Sequence, residues 1–399
     1  MSLLKPTSAL ILAFLVATMA STTTLAQEKL SDTYSQHTEI IQSKVLGEER
    51  SILVQLPKSY HTNPDKVYPV IYRLDGASNV PLLTAVIERL QHAQSAPEVI
   101  IVAIENTNRL RDLYPTVNQD PRGPVGLGGG GAKFLDFFER ELIPLVDNTY
   151  RTHDFRVIAG ASAAGVFALY ALQAKPELFQ AHIAYSPAVW WNHGASAKST
   201  KEFIAKAKTL NSYVYMNIGE EGGDMRAVYD DLHQFMRANK PKNLTLVTNA
   251  FDNVAHALTS SAGIFNAYHH LFMPRAMPVQ AFTGELDSIT DYYARLSQQY
   301  GEQIAPPEQV IRELGYHFVF EEDDFTTAIK LFKFNIELHP KSADAYNGLA
   351  FAYERNGQYK DSLQQVNMAL ELSKEGDAGY DFFIQRRDRL LPLVKGTQS

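Results

Sequence analysis

Residues 157–168 read Val157-Ile158-Ala159-Gly160-Ala161-Ser162-Ala163-Ala164-Gly165-Val166-Phe167-Ala168. A β-branched run passes through Gly-x-Ser-x-Ala-Gly and straight into an alanine-rich helical stretch. A nucleophile elbow needs this context: the serine sits on a sharp strand-to-helix turn, and small residues on either side let the two elements approach closely. Ala164 stands where the pattern usually has glycine, a departure of one methyl group.

Outward from this turn, short apolar runs alternate with amphipathic stretches over residues 45–272. The runs are Ser51–Leu56, Tyr68–Leu74, Val99–Ile104, Phe155–Ala159, Ala181–Tyr185, Tyr213–Ile218 and Asn243–Val247. Several are apolar on both faces, as a parallel strand covered by helices must be. Between them lie the helical patterns Leu82–His92, Ala132–Asn148, Ala164–Leu172, Met225–Arg237 and Ser260–Phe272. The alternation predicts an α/β domain with a mainly parallel sheet flanked by helices, of the α/β-hydrolase kind.

Past residue 300 the strand pattern stops. Phe325, Ala328, Phe332 and Leu338 recur at Tyr359, Ser362, Val366 and Leu372. That spacing matches the tetratricopeptide helix–turn–helix repeat, with Pro340 closing the first unit. Tyr346, Leu349, Ala350 and Tyr353 fall where the first helix packs into the second. The first repeat is degenerate around Leu314-Gly315-Tyr316, and a final helix near Phe382–Leu391 reads as a cap.

The first residues carry one cation, Lys5, then the apolar run Ala9–Ala17 and small residues up to Thr24-Leu25-Ala26. This is the pattern of a cleaved export leader, and it predicts a periplasmic or secreted protein. The expected organisation is a leader over 1–26, a hydrolase domain over 27–275, a linker or helical connection over 276–307, and an all-α repeat domain over 308–399.

Composition narrows the chemistry. The 399 residues are 45% hydrophobic and 20% charged, which is globular. The net charge is −7 with no basic block, so neither nucleic acid nor stable membrane insertion of the mature chain is expected. Without cysteine there is no disulfide, thiolate zinc site or cysteine nucleophile. No His/Asp/Glu cluster has metal-ligand spacing, so no metal and no cofactor is expected.

A serine nucleophile needs a base, and the base an orienting acid. In α/β-hydrolases the chain order is Ser, acid, His, each just after a strand. After Tyr213–Ile218 comes Gly219-Glu220-Glu221-Gly222-Gly223-Asp224, with three candidate carboxylates. After Asn243–Val247 comes Phe251-Asp252-Asn253-Val254-Ala255-His256, which makes His256 the candidate base. His182 lies within a strand, and His193 precedes the acid loop. The oxyanion needs donors already in place, and the backbone N–H groups of Ala163 and Ala77 are the candidates. Asp75 in the same turn as Ala77 reads as a stiffener.

At these residues the sequence resembles the esterase-D superfamily of α/β-hydrolases, on the branch with the catecholate-siderophore esterases. The likeness runs over residues 40–272. It is carried by Tyr68-Pro69-Val70-Ile71-Tyr72…Leu74-Asp75-Gly76, Arg109-Leu110-Arg111-Asp112-Leu113-Tyr114-Pro115, Phe134-Leu135…Glu141-Leu142-Ile143-Pro144…Tyr150-Arg151-Thr152, the elbow, and Ser186-Pro187-Ala188-Val189-Trp190-Trp191. The family's usual elbow is Gly-His-Ser-x-Gly-Gly; here Ala161 and Ala164 depart from it. The resemblance implies a small-molecule ester substrate, with a siderophore-type lactone as one class. Its spacing favours Glu221 as the acid. Helical repeats occur as an extension in some bacterial members, which implies a protein partner for them.

Arg109 and Trp191 are candidates for contacting substrate, and Arg111 and Arg122 could also face an anionic one. Gly126–Gly131 contains a literal Gly-x-Gly-x-x-Gly but follows a loop and not a strand, so it reads as a mobile segment near the cleft. Two alternatives to hydrolysis are acyl transfer on the same fold and a non-catalytic scaffold that uses the repeats.

Overall fold

Runs with no polar face form the centre of the sheet. The computed structural model describes residues 34–396 apart from 94 and 302; the leader expected over 1–26 lies outside the described residues. Eight strands are present among them: β1 (Ser35–Ser43), β2 (Glu48–Leu56), β3 (Tyr68–Arg73), β4 (Ile100–Ile104), β5 (Thr152–Ala161), β6 (Ala181–Tyr185), β7 (Tyr213–Ile218) and β8 (Thr245–Ala250). In β3, β4, β6 and β7 every residue is buried, which requires helices on both faces. The order is β1-β2-β4-β3-β5-β6-β7-β8, parallel from β4 to β8 and antiparallel where β2 meets β1 and β4.

The register decides which loops meet. Arg73 on β3 lies beside Ala159 on β5, Ala161 beside Tyr185 on β6, Tyr185 beside Asn217 on β7, and Ile218 beside Ala250 on β8. The segments that follow these strands therefore emerge together at the carboxyl edge of the sheet, where open α/β sheets bind ligands.

Several elements differ from the sequence reading, three of them with a clear physical reason. The edge strand β1 was not expected, because only Ile41 and Ser43 of its nine residues are buried and it carries almost no apolar signal. The helix Trp191–Lys206 was not expected either. Its Asn192, His193 and Gly194 have left-handed backbones, which break the periodicity. The stretch anticipated as one helix over 132–148 is Gly131–Phe137, a π-turn at Phe138–Leu142, then Ile143–Thr149. Pro144 accounts for this, having no N–H to offer the carbonyl of Arg140.

The chain divides into two compact units, one running to Met273 and including Tyr300, the other comprising Pro274–Gln299 and the residues from Gln303 onward. The second is all helical: it holds the helix Asp287–Tyr300 up to its last residue, then Glu308–Phe320, Phe325–Leu338, Ala343–Arg355, Tyr359–Glu371 and Tyr380–Gly396. Asp324 and Ser342 cap two of these helices by accepting the N–H groups of Thr327 and Ala345. Phe332 is fully buried between two glycines: a Cβ at Gly315 would come within 2.7 Å of its ring and one at Gly348 within 2.6 Å. The degenerate look of Leu314-Gly315-Tyr316 is thus the imprint of this ring. Among the described residues, no helix is long and apolar enough to cross a membrane.

Candidate active site

β5 runs to Ala161 and the next helix begins at Ala163, which leaves Ser162 alone on the turn with φ 58° and ψ −116°. A serine pays strain in that region, and neighbours must hold it there. They do: Ser162 donates its N–H to Tyr185 O at 2.9 Å, and its carbonyl accepts from Val166 and Ala188. A Cβ at Gly160 would come within 2.7 Å of the Ala164 backbone. Ala163 opens the helix, and the first N–H groups of a helix have no partner inside it.

Of the three carboxylates after β7, Glu221 meets His256. Its Oε1 lies 2.8 Å from His256 Nδ1, with the carboxylate side chain only 8% exposed. Glu220 points to solvent, and Asp224 pairs with Arg122. Ser186, directly after β6, was not anticipated. Its buried hydroxyl donates to Glu221 Oε1 and lies 3.2 Å from His256 Nδ1. Its signals in the sequence are its place at a strand end and at the head of the family-like run Ser186–Trp191. Burial pushes the Glu221 carboxyl up, but hydrogen bonds from Ser186 and His256 and the nearby backbone N–H groups outweigh it. The group stays below its ordinary range. His182, by contrast, is fully buried against Ser212 and burial drops it to about 3, so it stays neutral within the sheet.

Ser162, Glu221 and His256 line one cavity of about 430 Å³, walled further by Tyr114, Ala188 and Trp190. Two candidate contact residues need correction. Trp191 is 2% exposed, stacked on Tyr114 at 3.7 Å, with its indole N–H on Thr116 O; Trp190 is the tryptophan at the cavity. Arg109 is held by both oxygens of Asp75 and by Ala161 O, so it braces the turn after β3 against the elbow. Asp75 does stiffen that turn. Arg111 is taken by Glu48 and Asp112. Arg122 alone of the three lines the cavity, fixed from behind by the buried Asp120, whose carboxyl it holds far below the usual range.

The glycine-rich segment is pinned. Asn118 exchanges backbone hydrogen bonds with Leu127 and Gly126, and Gly129 and Gly131 donate to Tyr114 O. The N–H of Ala77 is also engaged: it donates to Glu105 Oε1 at 2.7 Å. Ala77 was expected as an oxyanion donor, and here a carboxylate of the same chain covers its N–H.

The profile of the esterase family, described as "Putative esterase", matches residues 43–270, more than half of the chain. The chain belongs to this esterase family. A tetratricopeptide profile matches residues 336–364. The chain is 31% identical over 191 residues to the ferri-bacillibactin esterase BesA of Bacillus subtilis, covering 44% of this chain and 66% of that one. It is 33% identical over 154 residues to the siderophore triacetylfusarinine C esterase of Aspergillus fumigatus, covering 35% and 51%. The chain thus spans about half to two thirds of the length of these two relatives. Among solved structures it is similar to an IroE-like serine hydrolase from Shewanella oneidensis, with TM-score 0.61 and 25% identity over 74% of this chain and 98% of that one.

Proposed function

We propose that this esterase is an exported serine hydrolase that cleaves a carboxylic ester, a siderophore-type lactone being the favoured class, through a covalent acyl-enzyme. Ser162 attacks the ester carbonyl while His256 takes the hydroxyl proton. Glu221 holds His256 in the tautomer that leaves Nε2 free to accept, and the N–H groups of Ala163 and Ala77 receive the oxyanion. Collapse expels the alcohol, which takes the proton from His256. Water then repeats the sequence on the acyl-Ser162 ester and releases the acid.

The observation that carries this reading is the 2.8 Å contact of His256 with Glu221 in the same cavity as a serine held on a strained strand-to-helix turn. The lactone class is supported by the siderophore esterases among its relatives. Export rests on the leader over 1–26, and the helical repeats are proposed to bind a protein partner. The test is a fluorophosphonate probe followed by an ester panel that includes a catecholate trilactone. Labelling at Ser162 with trilactone turnover supports the proposal. No labelling of folded protein refutes the serine mechanism, and labelling with turnover only of simple esters refutes the lactone.

A further inference from the structure

β3 ends on a charge. Arg73 follows Tyr68-Pro69-Val70-Ile71-Tyr72 and is 2% exposed, yet among the described residues no carboxylate pairs with it. The other guanidinium buried in this unit, Arg50, is bound by Glu48 and Asp112. Among the described residues, the hydrogen-bond and ring partners of Arg73 are neutral. Its Nη2 donates to Asn79 Oδ1 at 2.8 Å and Ser260 Oγ at 3.0 Å, and its charge lies 5.5 Å from the ring centre of Tyr185. Nε and Nη1 are buried without a partner, as are the hydroxyls of Tyr185 and Tyr268. A buried, uncompensated charge is among the most costly arrangements a fold can carry, and an apolar side chain of similar volume is often more stable. Packing alone does not explain an arginine here.

Its two partners do. Asn79 donates to Asp75 O in the turn that carries Ala77, and Arg109 ties Asp75 to Ala161, the residue before Ser162. Ser260 belongs to the helix Thr259–Phe272, whose first residue hydrogen-bonds His256 O through its hydroxyl. Arg73 therefore spans 187 positions of sequence to join the candidate oxyanion turn to the segment of the candidate base. We propose that Arg73 is a positioning residue for ester cleavage, a cation left without a counter-ion so that it fixes these two segments and favours negative charge developing at the Ala77 turn. This rests on the serine-esterase reading above. Preorganised positive potential acts on the transition state more than on bound substrate, so its loss falls on kcat more than on KM.

The discriminating variant is Arg73→Met in the full chain, read by thermal unfolding, by the rate of fluorophosphonate labelling at Ser162, and by kcat and KM on a short soluble ester. Asn79 and Ser260 are half-buried and can be hydrated once the guanidinium is gone. We expect an unfolding temperature equal to or above wild type, kcat and labelling rate down by about tenfold or more, and KM within about threefold. Arg73→Lys, which keeps the charge and loses the two-way bond, should recover part of kcat. Arg73→Met with wild-type kcat overturns the proposal. So does an Arg73→Met protein that is unfolded or loses activity only with its folded fraction, since that assigns the residue to the fold. A folded wild type that neither labels nor cleaves esters fails the esterase reading itself; a reactive wild type with an equally reactive Arg73→Met fails only this inference.

Discussion

The carboxylate of Glu105 accepts the backbone N–H of Ala77 at 2.7 Å. Gly76 beneath it leaves the room, since a Cβ there would come within 2.8 Å of Glu105 Cδ. If Ala77 receives the substrate's oxyanion, Glu105 must be displaced first, and that displacement is part of the barrier. The contact is exposed, so its strength is modest. Glu105→Ala should therefore raise kcat/KM on a short neutral ester by about fivefold. An unchanged or lower value would mean that Ala77 lies outside the reaction path.

Ser162 combines the nucleophile with strained geometry, and the two separate by mutation. Ser162→Ala should fold normally and lose turnover by about six orders of magnitude. Ser162→Gly should be equally inactive yet about 1 kcal/mol more stable, because glycine adopts φ 58° without a Cβ penalty. Denaturant unfolding of the two variants side by side checks this; equal stabilities would show that the turn stores no strain at this residue.

The acid loop sets an order of effects. Glu221→Gln should cost about 10⁴-fold in kcat or less, because orientation is lost while base and nucleophile stay. Ser186→Ala, which removes one hydrogen bond to Glu221, should cost about tenfold. Glu220→Gln should be nearly silent. A larger loss from Glu220→Gln than from Glu221→Gln would reassign the acid.

Glu221 also predicts a pH dependence of stability. Its carboxyl is held below the ordinary carboxylate range in the folded protein. Such a group contributes stability that is present above about pH 4.3 and lost as pH falls through the lower folded value. Thermal unfolding from pH 6 to pH 3 should fall less steeply in Glu221→Gln than in wild type. Parallel curves would remove Glu221 as a contributor.

What could be read from the chain was local. Strand, turn and helix around Ser162 lie within twelve consecutive residues, and the order Ser162, a carboxylate of the 219–224 loop, His256 follows from strand ends; only the family resemblance singled out Glu221 within that loop. What escaped depended on register or on pairing at a distance. Ser186 reaches Glu221 only because β6 lies beside β7. Trp191 was the expected contact residue, but its stacking on Tyr114 and its bond to Thr116 O, both distant in sequence, bury it and leave Trp190 at the cavity. Arg109 and Arg122 look equivalent in sequence; Asp75 turns one into a brace and Asp120 leaves the other at the cavity. Strand β1 gave no pattern because an edge strand buries so little of itself.

The contact between Gly160 and Ala164 limits how this elbow can change over generations. A side chain at residue 160 would meet the backbone carbon and oxygen of Ala164 at 2.7 Å, atoms that every replacement at 164 retains. Reverting Ala164 to the glycine more usual at that place would therefore not free residue 160. Drift at 164 among small residues is open and reversible, whereas 160 is closed in every genetic background that keeps the turn. A lineage in which Gly160 has changed should already have abandoned Ser162 as its nucleophile.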